Sequence, residues 1–310
     1  MMYKAFIIPS LIILFSACAE KDEVQKVNNT IPLTKENIEN HFVVPEVPKE
    51  MIFAGEHISF KDIDLRERLD NELVINNFWH SNTILMMKRS NRWLPLMKEI
   101  FKAEGVPEDL VYISVIESSL MNVTSPRGAK GFWQFMEATG KEYGLVINHQ
   151  MDERYHVEKS TRAACQYLKN AYTKFDSWIL AAASYNLGMH GIASNLERQK
   201  VKSYFDLSLN TETARYIFRL LAVKLVFENP ANYGFYLDAE SLYPEYITKE
   251  VIIDTSIPDL YEWSVEQGIS IKILRKLNPW IRGKEFKVNE GEVFSFKIPV
   301  DNEQLGLIEG

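Results

Sequence analysis

Residues Glu108–Leu120 read EDLVYISVIESSL, directly after Pro107. Leu110, Ile113, Glu117 and Leu120 follow one another at spacings of three, four and three, so a helix places them on a single face. Pro107 suits a first helical turn, and Glu108 and Asp109 suit the positive end of the helix dipole. Glu117 is the exception on an otherwise apolar face. A carboxylate there loses hydration, its pKa rises, and it becomes a proton donor near neutral pH. Position alone fits two other readings equally: a buried Glu satisfied by hydrogen bonds, or a helix-end residue turned to solvent.

The chain on either side is also patterned for helix. From about Ile58 to Gly105 the apolar residues Leu65, Leu69, Leu73, Val74 and Phe78 predict one helix over 64–79. Ile84, Leu85, Trp93, Leu96, Ile100 and Phe101 predict the buried side of a second over 81–103, which Pro95 should break or kink into two pieces. Downstream, Ala164, Leu168, Ala171 and Phe175 share a face of a helix over 160–175. Asp176 or Ser177 can cap the next, over 178–186, which stops at Gly188. A further helix over 211–227 ends before Pro230. After about Tyr243 the texture changes: Val251–Ile253 reads as a strand, 258–267 and 270–277 as two short helices, and 293–300 as a closing strand. The expected fold is mainly α, with a small C-terminal β-α-α-β domain. No internal repeat marks a solenoid.

Between these helices lie two segments with chemistry of their own. Ser125–Met136, SPRGAKGFWQFM, is a glycine-punctuated loop that delivers Trp133, Gln134, Phe135 and Met136. Flat aromatic surfaces and amides suit sugar rings, which have apolar faces and hydroxyl edges; ordinary core packing is expected of at least one of these aromatics. Ser184-Tyr185-Asn186 closes the 178–186 helix, where Tyr and Asn can both face a cleft.

Composition bounds the rest. With 310 residues, 46% of them hydrophobic, the chain can build a sizeable core with a smaller companion. A net charge of -7 without any dense Lys/Arg run argues against nucleic acid as a partner. At the N-terminus, Lys4 precedes a run of roughly 13 mostly apolar residues, Ala5–Ala17, shorter than the about 20 a membrane-spanning helix needs. It has the form of a secretory signal, and Ser16-Ala17-Cys18 resembles a lipoprotein site in which Cys18 is lipidated and becomes the new N-terminus. A plain cleaved signal with an incidental Cys is the alternative. The polar stretch 18–50, with Pro32, Pro45 and Pro48, reads as a tether. Cys165 reads as a small core residue. None of the six histidines forms a paired zinc spacing, and neither a nucleotide loop nor a G-x-S-x-G elbow occurs. Neither metal nor cofactor is expected.

Taken in order, Glu117-Ser118, then Gly128-Ala129-Lys130-Gly131-Phe132-Trp133-Gln134-Phe135-Met136, then Tyr185-Asn186, then Glu212-Thr213-Ala214-Arg215-Tyr216 closely resemble the lytic transglycosylase family with the goose-lysozyme-like catalytic domain. Phe53-Ala54-Gly55-Glu56 and Asn77-Phe78-Trp79-His80-Ser81 resemble its membrane-bound murein transglycosylase D subgroup. The likeness runs over roughly 50–230. Asp254-Thr255, Tyr261, Gly268-Ile269-Ser270, Leu274, Leu277-Asn278-Pro279 and Ile298-Pro299 resemble a lysin motif. The chain departs from the family at Ser184, where Ala is usual, and at Met189-His190-Gly191, which lacks the Pro-Gly-Asn often found there.

The resemblance implies a signal peptide over 1–17, a lipid-anchored tether over 18–50, a helical N-terminal extension over 51–105, a lysozyme-like domain over 106–235 and a lysin-motif-like domain over 244–302. It implies an exported enzyme, anchored on the periplasmic side of the outer membrane, acting on peptidoglycan glycan strands. Glu117 would protonate the oxygen between N-acetylmuramic acid and N-acetylglucosamine. It would then take a proton from the C6 hydroxyl that attacks C1, leaving a 1,6-anhydro end. Ser118, Gln134, Met136, Tyr185, Asn186 and Tyr216 would line the site. Ordinary glycosidases use two carboxylates. The matched motifs are read as offering no second one, and Asp152-Glu153, the nearest acidic pair downstream, as lying on a solvated loop or helix start. A muramidase that uses water and a non-catalytic glycan-binding scaffold are the competing readings.

Overall fold

A computed structural model of the protein describes residues 43–300. The expected signal peptide, Cys18 and most of the expected tether therefore lie outside the described residues. The last part of the expected tether does not hang free. Pro45 and Val47 are buried, and Asn77 donates from Nδ2 to the Val43 carbonyl at 2.6 Å.

The segment read as a purely helical extension begins with a hairpin. β1 (Glu50–Phe53) pairs antiparallel with β2 (Glu56–Ser59) through Ala54-Gly55, whose φ values of 51° and 82° are those of a tight primed turn. Met51, Phe53 and Ile58 go inward. Glu56 then reaches across the molecule to the start of a later helix, as described below.

α1 (Ile63–Phe78) begins with the Asp62 side chain accepting from the Asp64 and Leu65 amides. Its buried stripe is Leu69, Glu72, Leu73 and Asn77; Phe78, expected inside, is exposed. α2 (His80–Glu104) runs unbroken through Pro95, contrary to expectation, and ends on Gly105 in the left-handed conformation. An interior Pro costs about 3 kcal/mol. Leu94, Met97, Ile100 and Phe101 are buried on either side of it, so packing keeps the helix continuous.

The decisive stretch is a 3-10 turn over Glu108–Val111 followed by α3 (Tyr112–Ser118). Ser119 and Leu120 are both left-handed, with φ of 52° and 54°, so the helix stops just after Glu117. α4 (Glu137–Glu142), α5 (Val157–Phe175), α6 (Trp178–Leu187), α7 (Met189–Gln199) and α8 (Thr211–Glu228) complete the helical part. α8 is central: Tyr216, Ile217, Phe218, Leu220, Leu221 and Val226 are buried along it, and it packs on α1, α3 and α6. Cys165 is fully buried in α5, and burial pushes its thiol up to about 12, the behaviour of a core residue.

The C-terminal β-α-α-β unit is as expected. β3 (Thr248–Ile253) pairs antiparallel with β4 (Phe294–Pro299), with α9 (Leu260–Glu266) and α10 (Ile271–Leu277) between them. Its core of Leu260, Leu274, Trp280, Phe286 and Phe296 also takes in Met151 and Tyr155 from the helical part. The seam is stitched by Asp152 N–H to Trp280 O at 2.8 Å, by Gln150, which bonds both backbone groups of Lys287, and by an ion pair of Lys297 with Glu158. Among the described residues, no helix is long and apolar enough to cross a membrane.

Candidate active site

Glu117 sits in the last turn of α3, half-buried. Burial is the largest influence on its carboxyl and raises it above the ordinary carboxylate range. The Tyr216 hydroxyl and the Arg219 charge pull the other way, and the Glu212 charge adds to the rise. Tyr216, from the middle of α8, donates its hydroxyl to Glu117 Oε1 at 2.7 Å. Oε2 accepts no hydrogen bond from the described residues, which leaves one carboxyl oxygen held and the other available. Burial, then the Glu117 charge, push the Tyr216 phenol well above its usual value, so it remains a neutral donor.

Two backbone devices hold this centre. The first is Glu56 of the early hairpin, which accepts from the Trp178 and Ile179 amides and the Ser177 hydroxyl and so caps α6. Tyr185 and Asn186 ride at the far end of that helix. The second is the loop 125–136. Gly131, with φ of 82°, passes so close to Arg154 that an added Cβ would lie 1.9 Å from the Arg154 carbonyl oxygen. Arg154 is itself buried and bonds Asp152 as well as the Gly128 and Phe135 carbonyls. Trp133 is core, not surface: its ring stacks on Phe101 at 5.5 Å and its Nε1 donates to Thr161 at 2.9 Å.

The residues expected around Glu117 divide. Tyr185 donates to the Trp133 carbonyl at 2.8 Å and packs on Phe135 and Tyr167. Burial raises its phenol first and the Glu117 charge second, which sets it within electrostatic reach of the centre. Asn186 accepts from Thr213 at 2.8 Å and so ties α6 to the start of α8. Gln134, left-handed at φ 49°, spends its amide nitrogen on the Gly131 carbonyl at 2.7 Å. Met136 stands 47% exposed at the loop's end. Ser118 differs: its hydroxyl turns back to the Ser114 carbonyl at 2.9 Å and is buried.

The acidic pair Asp152-Glu153 is not solvated, as the sequence suggested, but buried. Burial alone would raise Asp152; Arg154 and Lys130 outweigh it and leave the carboxyl below its usual value. Glu153 pairs with Lys159 and accepts from the Val146 amide. These acids hold the loop. A second carboxylate whose charge reaches Glu117 is Glu212, which sits in one of the quoted motifs. Arg219 was missed altogether; it donates to the Ile116 carbonyl at 2.9 Å. Glu212, Tyr216 and Arg219 recur at four and three along α8, a helical face that could have been read.

A groove of about 520 Å³ runs beside this centre between the α1–α2 junction and α8, with Glu212 and Arg219 in its wall. A larger cavity, about 640 Å³, opens at the seam with the C-terminal unit, and Glu117 lines neither of the two. Chemistry, not size, marks the Glu117 centre as the candidate site. Among the described residues no three His, Cys, Asp or Glu side chains are grouped to hold a metal ion.

Comparison with known proteins agrees with the motifs. Residues 95–207 match the family model for the transglycosylase SLT domain. Residues 249–302 match that for the soluble lytic transglycosylase C-terminal LysM-like domain. The chain is 28% identical over 229 residues to membrane-bound lytic murein transglycosylase D of Escherichia coli, an alignment that covers 71% of this chain and 48% of that protein. The chain thus spans about half the length of this curated relative. Two solved structures align over 49% of the chain and 26% of theirs. They are the 70 kDa soluble lytic transglycosylase of Escherichia coli (20% identity, TM-score 0.37) and the lytic transglycosylase Slt of Pseudomonas aeruginosa (18%, TM-score 0.35).

Proposed function

We propose that the protein is a peptidoglycan lytic transglycosylase that cleaves the β-1,4 bond between N-acetylmuramic acid and N-acetylglucosamine. The observation that carries the reading is the half-buried carboxyl of Glu117, raised by its surroundings and held through one oxygen by Tyr216. A carboxyl whose surroundings favour its protonated form can give that proton to the glycosidic oxygen. Bond breakage leaves the carboxylate, which Tyr216 stabilises by donation. That carboxylate then accepts the C6 hydroxyl proton as O6 closes on C1, and the acid is regenerated with no water consumed. The matched domains and the named activity of the relative support this reading.

Gln134, Met136, Tyr185 and Asn186 are proposed to face the sugars. Ser118 acts through the shape of the helix end, since its hydroxyl is committed to Ser114. The proposed division is an extension over 51–105, the catalytic domain over 106–235 and the LysM-like unit over 244–302, which would add a grip on the wall. Lipidation at Cys18 and an envelope location, on the periplasmic side of the outer membrane, are proposed from the N-terminal pattern and from the membrane-bound relative.

Glu212 favours a second reading. Its charge reaches Glu117, and a second carboxylate that activated a water there would make the enzyme a muramidase. Product mass separates the two. Sacculi digested by the wild type should release products about 18 Da lighter than hydrated muropeptides, one water less per cut, and Glu117→Gln should release none. Hydrated reducing ends would establish the muramidase instead.

A further inference from the structure

We infer that the C-terminal unit is a structural part of the active site: through residues 150–155 it positions the loop that follows Glu117, with Tyr155 as the positioning residue. The inference rests on the proposed transglycosylase reading and gives that unit a role besides the grip on the wall. The loop has little regular structure of its own. Isolated bridges pair Thr124 with Lys130 and Lys130 with Phe135. Trp133 fixes its middle through Thr161. The stretches on either side are held by the 152–155 segment. Asn122 donates from Nδ2 to the Tyr155 carbonyl at 2.9 Å, and the Thr124 and Tyr155 hydroxyls share a hydrogen bond of 2.6 Å. Lys130 pairs with Asp152, and Arg154 donates to the Gly128 and Phe135 carbonyls. The fit has no slack, since Gly131 lies against the Arg154 carbonyl with no room for a Cβ. Gln134, proposed to face the sugars, donates to the Val123 and Gly131 carbonyls and so moves with the loop.

The 152–155 segment is too short to hold itself, being a single 3-10 turn over Glu153–Tyr155. Glu153 ties one side of it to Val146. The C-terminal unit supplies the other side. Met151 bridges to Ile281, Asp152 N–H donates to the Trp280 carbonyl, and Arg282 N–H donates to the Gln150 carbonyl at 2.9 Å. The buried Gln150 amide bonds both backbone groups of Lys287, at 2.9 and 2.8 Å. The Arg282 guanidinium lies 4.0 Å over the Tyr155 ring, which packs in the core of the C-terminal unit while its hydroxyl reaches Thr124. Tyr155 therefore touches one unit with its ring and the other with its hydroxyl. A unit that served only to hold the wall would need no such buried junction, because a flexible linker suffices for a tethered grip.

The test uses the full chain as wild type, Gln150→Ala, Tyr155→Phe and the double variant. Gln150→Ala cuts the hold from the C-terminal unit, and Tyr155→Phe keeps the ring while removing the bond to Thr124. Rates are measured on sacculi and on a soluble tetrasaccharide of alternating N-acetylglucosamine and N-acetylmuramic acid, for which a grip on the wall is of no use. Amide hydrogen exchange over 122–136 is followed in the same proteins. Each single variant should lower kcat/KM on the tetrasaccharide by ~10-fold, because small misplacements of positioning groups are costly. The double variant should lose no more than the worse single one, since both act on one path. Loop amides should exchange faster in each variant while those of α8 keep their protection. A fall on sacculi with an unmoved tetrasaccharide rate would make the unit a wall grip alone and overturn the positioning role. Losses that multiply in the double variant, or unchanged loop exchange, would overturn it too, because the two residues would not then act through one loop. A wild type that cuts neither substrate would remove the transglycosylase reading. Faster loop exchange in the variants would then still uphold the coupling, and unchanged exchange would end it.

Discussion

Tyr216→Phe probes the one bond on which the proposed chemistry leans. The hydroxyl lies 2.7 Å from Glu117 Oε1 and is the only group that hydrogen-bonds this carboxyl among the described residues. Its strength depends on charge: a hydrogen bond to an ionised group contributes about 1.5–3 kcal/mol, roughly twice a neutral one. Giving up the proton turns Glu117 into that ionised acceptor, so the bond is stronger after transfer than before. Removing it raises the barrier by the difference between the two states, about 0.7–1.5 kcal/mol, which at about 1.4 kcal/mol per decade lowers kcat roughly 3- to 10-fold. The same bond lowers the Glu117 pKa, so its loss moves that pKa further up. The alkaline limb of kcat/KM, which reports the protonated acid, should therefore shift to higher pH as the rate falls. Muropeptide release from sacculi across a pH series measures both, with a thermal melt as the folding control. Unchanged kcat, or a limb that moves down in pH, would refute the role given to Tyr216.

Stability tests the same electrostatics without substrate. Glu117 has a raised folded pKa, so its contribution is intact below the ordinary Glu value and is lost as pH rises through the folded one; Glu117→Gln should melt higher than wild type at neutral pH and level with it near pH 4. Glu158 is the opposite case: burial would raise it, but His156 and Lys297 outweigh burial and hold it at about 2. Its stabilisation, about 1–2 kcal/mol after allowance for partial exposure, should be lost in Glu158→Gln at neutral pH, with the gap to wild type closing as pH falls from about 4.5 toward 2 in paired melts. Gly131→Ala forces a Cβ into the Arg154 carbonyl at a positive φ and should cost about 3 kcal/mol or more, read as a drop in the urea midpoint. Glu212→Gln should lower the Glu117 pKa by removing a like charge, and its alkaline limb should move to lower pH; an unmoved limb would place Glu212 out of reach.

Much of this was legible because periodicity reports burial. Leu110, Ile113 and Leu120 are fully buried, and Glu117 lies among them with the raised carboxyl that the face predicts. The β-α-α-β unit was readable from short runs between turn residues. What escaped depends on partners distant in sequence. Asp152-Glu153 looked solvated because acids usually are; Lys130 and Arg154, one from a remote loop, neutralise Asp152 in the interior. The hairpin of β1 and β2 was hidden by strands of four residues each. Glu56 reveals its work only when α6 comes to rest against it. Ser118 was expected to face substrate by analogy, but a serine in a helix can satisfy itself on the carbonyl four residues back. Pro95 shows the converse: a local rule predicted a break that packing along α2 overrides.

The central claim is that one carboxyl, Glu117, gives and then retakes the proton, so that no water enters the product. Digestion of sacculi in water enriched in oxygen-18, followed by mass spectrometry of the released muropeptides, tests it most directly. The account predicts 1,6-anhydro ends that carry no label from the wild type and no release at all from Glu117→Gln. One oxygen-18 at each new reducing end would contradict it and move the chemistry to a water activated by a second carboxylate, with Glu212 the residue to examine.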